Sequence, residues 1–283
     1  MSDPQPERLD IHYVDDGMPE HTLDIFTPQG SGPFPVLVWA HGGGWRAGEK
    51  ADLANTDIHM DEMKQALLEH GYAIASVNYR LAPANTFPAP THDIAASVRY
   101  LKAHAAEFGL DPERFALGGD SAGAHLSSLV AMAAGDETVQ GTLGETSTDS
   151  KVDAVVGYYG LYDLRGRIPD QQAQGCDPER TGADSSHGQL IGADPGSEQG
   201  GKIADSASPL TYINEQSPAM IMFAGRQDCT APFAQAERMR DALQKASVPT
   251  ELTIIDTGHA DPKFFQDEAI RNQMLSFLDA HVS

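Results

Sequence analysis

Short apolar runs alternate along the chain with longer segments in which apolar residues recur every three or four positions. The short runs are strand-sized and lie at residues 9–15, 23–26, 36–40, 72–79, 115–119, 152–159, 219–224 and 251–255. The later runs are continuous, which is typical of strands covered on both faces. The longer segments, at residues 57–69, 91–108, 121–134, 231–246 and 264–281, are predicted helices. This alternation predicts a mostly parallel central sheet with helices on both faces.

Residues 161–208 interrupt this rhythm, because they are rich in Gly, Asp, Gln and Ser and show little apolar periodicity. A loop of this length inside a compact domain is uncommon unless it is functional or mobile. We interpret it as an insertion, which is either a lid over one end of the sheet or a surface loop. No composition shift or internal repeat marks a second unit, so residues 1–283 are predicted to form a single domain.

The charge balance narrows the function classes. The 283 residues include 19 Lys and Arg against 41 Asp and Glu, a net charge of −22. That field repels a phosphate backbone, so no nucleic-acid partner is expected. It indicates a highly soluble or salt-adapted surface, with steering of a cationic substrate as the alternative. No apolar run is long enough for a membrane span, and no signal peptide is visible, which together predict a cytoplasmic protein unless a processed form is secreted.

A strand-to-helix junction carries the strongest chemical signal. The residues Gly119-Asp120-Ser121-Ala122-Gly123 follow one predicted strand and open the next predicted helix. This is the context that a nucleophile elbow requires. The two glycines allow neighbouring backbone to approach where a Cβ would clash. The pattern therefore predicts that the Ser121 hydroxyl stands at the carboxyl edge of the sheet, beside the first amides of a helix.

A second signal is the loop His41-Gly42-Gly43-Gly44-Trp45, which directly follows a predicted strand. Consecutive glycines expose backbone N–H groups that can bind an oxyanion. The spacings of the nucleotide-binding glycine motifs are absent, so we exclude a phosphate cradle. We expect His41 to anchor the loop rather than act as a base, and Trp45 to pack.

A serine hydroxyl needs a base to become a nucleophile, and the base needs an acid to orient it. In this architecture the chain order is serine, acid, histidine, with the last two on loops after late strands. Asp228 and His259 follow the last two predicted strands, at the edge where α/β sheets place ligands. We predict a triad of Ser121, Asp228 and His259, with Asp256 as the rival acid. No H-E-x-x-H or C-x-x-C spacing indicates a metal site.

At this point the chain resembles the hormone-sensitive-lipase-type branch of the α/β-hydrolase carboxylesterases. It is closer to the small-lidded members, which include feruloyl and acetyl-xylan esterases and kynurenine formamidases. The resemblance begins near residue 23 and continues to the C-terminus. The matching elements are the glycine loop at 41–45, Val77-Asn78-Tyr79-Arg80-Leu81-Ala82-Pro83, Phe87-Pro88-Ala89-Pro90 with Asp93, Asp111-Pro112-Glu113-Arg114, the elbow, Gly225 with Asp228, Pro232 and Gln235, and Gly258-His259.

Two departures from the family pattern stand out. Ala124 replaces a further glycine of the relatives, which narrows the space beside the elbow. The segment before residue 36 is short, so we expect the helical N-terminal cap of the larger lipases to be absent.

The resemblance implies an α/β-hydrolase fold and a two-step acyl transfer without a metal or an organic cofactor. Ser121 attacks an ester carbonyl while His259 takes its proton, and Asp228 orients His259. The amides of Gly43 and Ala122, with Gly42 or Gly44, are the implied oxyanion donors. The expected partner is a small ester with a short or aromatic acyl group. The alternatives are an aryl-formamidase and a hydrolase-fold binding protein without turnover, and the chain is either a monomer or a homodimer.

The two cysteines, Cys176 and Cys229, could pair or remain free. A bond between them would join the insertion to the loop of the predicted acid. Because no signal peptide is visible, we expect two free thiols in a reducing cytosol.

Overall fold

The computed structural model describes residues 7–178 and 180–282. Residues 1–6, which contribute to the argument against a signal peptide, lie outside the described residues. The strands are β1 Glu7–His12, β2 Thr22–Phe26, β3 Phe34–Ala40, β4 Ala73–Val77, β5 Leu110–Asp120, β6 Ala154–Tyr158, β7 Ala219–Gly225 and β8 Thr250–Ile255. The helices are α1 Met60–Glu69, α2 Ala89–Ala103, α3 Ala105–Phe108, α4 Ala122–Met132, α5 Glu137–Gln140, α6 Arg167–Ala173, α7 Ser186–Ile191, α8 Glu198–Ser206, α9 Ala234–Lys245, α10 Lys263–Gln266 and α11 Glu268–His281.

One sheet joins all of these strands in the order β1-β2-β4-β3-β5-β6-β7-β8. The pairs β1/β2 and β2/β4 are antiparallel, and every pair from β4 onward is parallel. The predicted mostly parallel sheet is thus confirmed. Its parallel strands end at one common edge, which receives the loops after β3, β5, β7 and β8.

Two apolar cores, one on each face, cover the sheet. In β3, Val36 and Val38 belong to the core packed by α2, α4 and α9, whereas Leu37 and Trp39 belong to the core packed by α1, α10 and α11. Successive side chains of a strand point to opposite faces, so a strand covered twice must be apolar at every position. Coverage on both faces therefore explains why several predicted strands are continuous apolar runs.

The boundaries of several elements differ from their predicted positions. Helix α2 begins at Ala89, before the predicted cap Thr91, because Pro90 suits the first turn. The predicted helix at 264–281 divides at Asp267, whose side chain accepts a hydrogen bond from the Ala269 N–H and caps α11. The first strand ends at His12 rather than at residue 15.

The insertion at 161–208 is not the structureless stretch that its composition indicates. It contains the short helices α6, α7 and α8. The side chains of Ser185 and Ser197 cap two of them, each accepting the N–H three residues later. Gly188 and Gly200 pack so closely that a Cβ would overlap the carbonyl oxygens of Gly182 and Asp194. Close backbone packing, side-chain caps and a few buried apolar side chains together hold these short helices.

The prediction of free thiols is wrong. Cys176 and Cys229 form a disulfide, with their Cα atoms 5.6 Å apart. Cys176 lies just after α6, which packs against the loop after β7 and brings the two side chains into bonding range. The insertion is therefore covalently joined to the loop that carries Asp228.

Across the two described ranges, every helix is too short or too polar to traverse a lipid bilayer.

Candidate active site

Ser121 occupies the sharp turn between β5 and α4, with φ 50° and ψ −113°. Its N–H donates to the Tyr158 carbonyl at 2.8 Å, which ties the turn to β6. A Cβ on Gly123 would overlap the Ala40 carbonyl oxygen, and one on Gly119 would lie 2.6 Å from the same oxygen. The two glycines therefore let β3 run close beneath the strained serine.

The structure brings together the three distant side chains that the sequence analysis selected. Ser121 Oγ lies 2.9 Å from His259 Nε2, and His259 Nδ1 lies 2.7 Å from Asp228 Oδ2. Asp228 is fully buried, while about a fifth (21%) of the His259 side chain is exposed. The other Asp228 oxygen accepts the N–H groups of Thr230 and Ala231 at 2.7 and 2.8 Å. These contacts orient the Asp228 carboxylate and fit a His259 whose Nδ1–H donates to Asp228.

The rival carboxylate does not enter this arrangement. Asp256 is exposed and accepts a hydrogen bond from Gln227 Nε2 at 2.8 Å. Its backbone directly follows β8, but His259 Nδ1 contacts Asp228 instead.

The glycine loop lies on the other side of Ser121. His41 is buried and stacks on Tyr79, with ring centroids 4.3 Å apart, so its predicted role as an anchor is confirmed. Gly43 has a φ of 100°, and a Cβ there would overlap the Ala47 carbonyl oxygen. Gly43 and Gly44 line the cavity above Ser121, whereas Gly42 lies against the Asp120 carboxylate. Within the described ranges, the N–H groups of Gly43 and Gly44 have no protein acceptor.

Trp45 packs as predicted, and its indole also fixes a buried histidine. Trp45 Nε1 donates to His125 Nδ1 at 3.1 Å, and His125 Nε2 donates to the Ala207 carbonyl at 2.7 Å. Burial lowers the pKa of His125 to about 4, so the ring is neutral at physiological pH. This chain of contacts joins the glycine loop, α4 and the end of the insertion.

Asp120, the residue before the serine, is a buried acid. Burial raises its pKa to about 7, against smaller lowering effects of the His259 charge and the Gly42 backbone. Its Oδ1 has no hydrogen-bond partner in the described part of the chain. A carboxyl group in this environment is partly protonated near neutral pH.

Helix α6 supplies positioning residues that the sequence reasoning missed. Gln174 Nε2 donates to the Asp228 carbonyl at 2.8 Å, Gln171 Nε2 to the Cys229 carbonyl at 2.7 Å and Arg167 Nε to the Thr230 carbonyl at 3.1 Å. Three consecutive carbonyls of the acid loop are thus held from one helix face. The available signal was the spacing of Arg167, Gln171 and Gln174, which places polar side chains on one side of a helix.

A cavity of about 630 Å³ opens above the serine. The elbow, the glycine loop, the acid and histidine loops and the insertion line it: Gly43, Gly44, Arg46, Asp120, Ser121, Arg167, Gln171, Asp177, Pro178, Arg180, Ser186, Cys229, Thr230, His259 and Ala260. The insertion therefore forms one wall of the cavity. Among the residues that the structure describes, no three His, Cys, Asp or Glu side chains are grouped so that they could hold a metal ion.

The sheet order, the elbow and the cavity at the carboxyl edge define the α/β-hydrolase fold. A carbohydrate esterase from gut microbiota, solved in truncated form, superposes with a TM-score of 0.86 at 23% identity, covering 99% of this chain and 98% of that one. The profile of the BD-FAE family matches residues 23–243, so the chain belongs to that family.

Relatives with higher identity share the fold and match most of this chain. The bifunctional GH43-CE protein of Bacteroides eggerthii has a TM-score of 0.85 at 27% identity, covering 98% of this chain and 35% of that one. The probable carboxylic ester hydrolase LipM of Mycobacterium tuberculosis is 33% identical over 243 residues, which are 84% of this chain and 52% of LipM. The chain spans about half the length of the curated relatives that it matches.

Proposed function

We propose that the protein is a serine carboxylesterase that hydrolyses small esters through an acyl-enzyme. The observation that carries this proposal is the unbroken contact from Ser121 Oγ through His259 to Asp228, at 2.9 and 2.7 Å. Both distances allow a proton to move from the hydroxyl to the imidazole. The relative LipM is named as a probable carboxylic ester hydrolase, which supports the same reaction class.

In the first step, Ser121 attacks the ester carbonyl and His259 Nε2 takes the hydroxyl proton. Asp228 stabilises the resulting imidazolium, and the tetrahedral intermediate collapses as His259 protonates the leaving alcohol. Water then attacks the acyl-enzyme while His259 takes a proton from it. The bond between Ser121 Oγ and the acyl group breaks as His259 returns that proton to Oγ, and the free acid leaves. Every proton stays within the triad and the reacting groups.

We assign the oxyanion donors to the N–H groups of Gly43, Gly44 and Ala122. The first two line the cavity without a protein acceptor, and Ala122 opens α4, where N–H groups lack helical partners. One such donor contributes roughly 2.7–4 kcal/mol to the transition state. Gly42 was also a candidate, but its position against Asp120 makes it a support for the loop.

Two further predictions concern the setting of this activity. We propose that the whole chain acts as one hydrolase domain, with the insertion as a wall of its cavity. The predicted cytoplasmic location is harder to reconcile with the bond between Cys176 and Cys229, because disulfides persist mainly in oxidising compartments.

The test is the change Ser121→Ala, assayed on 4-nitrophenyl acetate beside covalent labelling with a fluorophosphonate. We expect kcat/KM to fall by at least about 10³-fold and labelling to disappear, since both need the serine nucleophile. N-formylkynurenine, compared under the same conditions, separates an amidase from an esterase. A wild-type chain that neither turns over esters nor reacts with the probe would refute the proposal.

A further inference from the structure

Three arginines line the cavity above Ser121 in a chain whose net charge is −22. They are Arg46 on the glycine loop and Arg167 and Arg180 on the insertion. Arg46 and Arg180 are exposed, whereas Arg167 is partly buried. Nineteen Lys and Arg residues serve the whole chain, so three around one cavity form a local excess of positive charge.

Neighbouring groups hold the Arg167 side chain in place without using all of its N–H donors. Its Nε donates to the Thr230 carbonyl, and its Nη1 donates to Ser186 Oγ at 2.7 Å and to His187 Nδ1 at 3.1 Å. All three acceptors are neutral. Its Nη2 has no acceptor within the described ranges and is accessible to solvent, on a residue that lines the cavity. The structural contacts therefore orient the guanidinium and leave one edge of it available.

Neither Arg167 nor Arg46 has an ion-pair partner among the described carboxylates. Burial lowers the pKa of Arg167 to about 10; the Asp228 charge raises it and the Arg46 charge lowers it. The charge of Arg46 thus acts against that of Arg167, and Arg46 Nη1 donates to Gln189 Oε1 at 3.3 Å. Among the residues that the structure describes, the acids on the cavity wall are the exposed Asp177 and the buried Asp120.

We propose that the preferred ester carries a carboxylate, which binds in the cavity between Arg46 and Arg167. This inference rests on the proposed esterase function and specifies its substrate class. A planar guanidinium donates two parallel N–H groups to a carboxylate, and two unpaired guanidiniums that face one cavity stabilise an anion by charge and by hydrogen bonds. The alternative of a cationic substrate, raised by the overall charge, does not fit this wall.

The acidic surface of the rest of the molecule affects how Arg46 and Arg167 would act on an anionic substrate. An anionic substrate is repelled by most of the molecule and attracted only near the cavity, so binding depends on short-range contacts rather than on steering. The preference for an anion should therefore reside mainly in the residues of the wall and respond to their removal.

The experiment compares two acetyl esters that differ in one charge, 4-acetoxybenzoate and its neutral methyl ester. The readout is the ratio of their kcat/KM values, called here the anion preference. We expect Arg46→Gln to lower the anion preference by about tenfold and Arg167→Gln by at least as much, because each removes charged hydrogen bonds to the carboxylate. Raising NaCl from about 20 to about 300 mM should also reduce it.

Arg165→Gln is the matched control. Arg165 lies two residues from Arg167, pairs with Asp205 at 3.0 Å and does not line this cavity, so its loss should leave the anion preference within about twofold of wild type. Arg46→Gln is the decisive variant, since Arg167 also holds the acid loop and its loss lowers turnover of both esters. A second pair, mono(4-nitrophenyl) adipate against 4-nitrophenyl hexanoate, places the charge on the acyl side.

Equal turnover of both members in each pair, or an anion preference unchanged in both arginine variants, would overturn the proposal while leaving the esterase function intact. Failure of the function itself is seen separately, as no turnover of any ester. Calorimetric titration of the Ser121→Ala chain with 4-acetoxybenzoate then still decides the inference. We expect binding that weakens on the further change Arg46→Gln, and the absence of such binding contradicts it.

Discussion

The carboxyl edge of the sheet and the insertion at 161–208 meet at the same cavity but are built differently. At the edge, each reactive group follows a strand whose direction and neighbours the sheet fixes, as for Ser121 after β5 and His259 after β8. In the insertion, short capped helices rest on close glycine contacts, on hydrogen bonds from α6 and on one disulfide. The edge supplies the acyl chemistry, and the insertion supplies position and, by our proposal, substrate charge.

This difference predicts which property of the protein a substitution in each region should change. A change in a triad residue at the edge should alter the chemical step with little effect on stability, because the strand ends are held by the sheet. A change in the insertion should alter stability or substrate preference, because its short helices depend on caps, on close glycine contacts and on the disulfide. The following predictions separate the two regions, beginning with the largest effect.

The acid of the triad should give the largest effect. Asp228→Asn should lower kcat/KM by about 10⁴-fold, since an amide favours the wrong His259 tautomer and cannot stabilise its cation. The hydrogen bonds of Asp228 to Thr230 and Ala231 use the other oxygen, so the fold should persist. Steady-state kinetics with a circular-dichroism check measures both.

Asp256→Asn is the control for this prediction, because Asp256 is exposed and bound to Gln227. Its activity should remain within about twofold of wild type. A large loss in this variant, with a small one in Asp228→Asn, would reassign the acid.

The disulfide between the two regions should dominate stability rather than chemistry. Cys176 and Cys229 lie 53 positions apart in the chain, and closing this loop lowers the entropy of the unfolded chain. Replacing both by serine should reduce the free energy of unfolding by about 4 kcal/mol. The hydrogen bonds of α6 remain, so kcat/KM should fall by less than about tenfold.

Chemical denaturation with and without dithiothreitol measures this effect. Reductant should bring the wild type to the stability of the double variant and leave that variant unchanged. A wild type indifferent to reductant would show that the bond contributes nothing to stability.

The smallest predicted effect tests the electrostatics of the edge. The pKa of Asp120 rises from 3.8 to about 7 on folding. Between these pH values the folded chain holds a proton that the unfolded chain has lost, so stability falls as pH increases, by on the order of 1 kcal/mol per pH unit. Asp120→Asn removes this contribution.

The measurement is the difference in free energy of unfolding between wild type and Asp120→Asn, from about pH 5 to pH 8. The difference should grow in favour of the variant up to about pH 7 and then level off. A difference independent of pH would mean that Asp120 titrates as an ordinary acid.

Much of the site could be predicted because its signals are local. The elbow needs two glycines at fixed spacing around Ser121, and the overlap with Ala40 that a Cβ would cause explains why. Asp228 and His259 each follow a strand that the hydrophobic pattern predicts, so their place at the carboxyl edge of the sheet could be inferred from the sequence. Choosing Asp228 over Asp256 also used only the order of strands and loops.

The insertion could not be predicted by the same means. The role of helix α6 follows from its contacts and not from its own pattern. Arg167, Gln171 and Gln174 donate hydrogen bonds to carbonyls more than fifty residues away in the chain. Composition likewise gave no reason to pair Cys176 with Cys229, and the charge total concealed three arginines around one cavity.

The sequence by itself determined the parallel sheet, the sharp turn at Ser121 and the strand ends that carry Asp228 and His259. These depend on periodicity and on glycine stereochemistry, which act over a few neighbouring residues. Only the tertiary structure decided that the two cysteines bond and that Arg46 and Arg167 line the cavity above Ser121. Those outcomes depend on distances between segments far apart in the chain, and packing alone sets such distances.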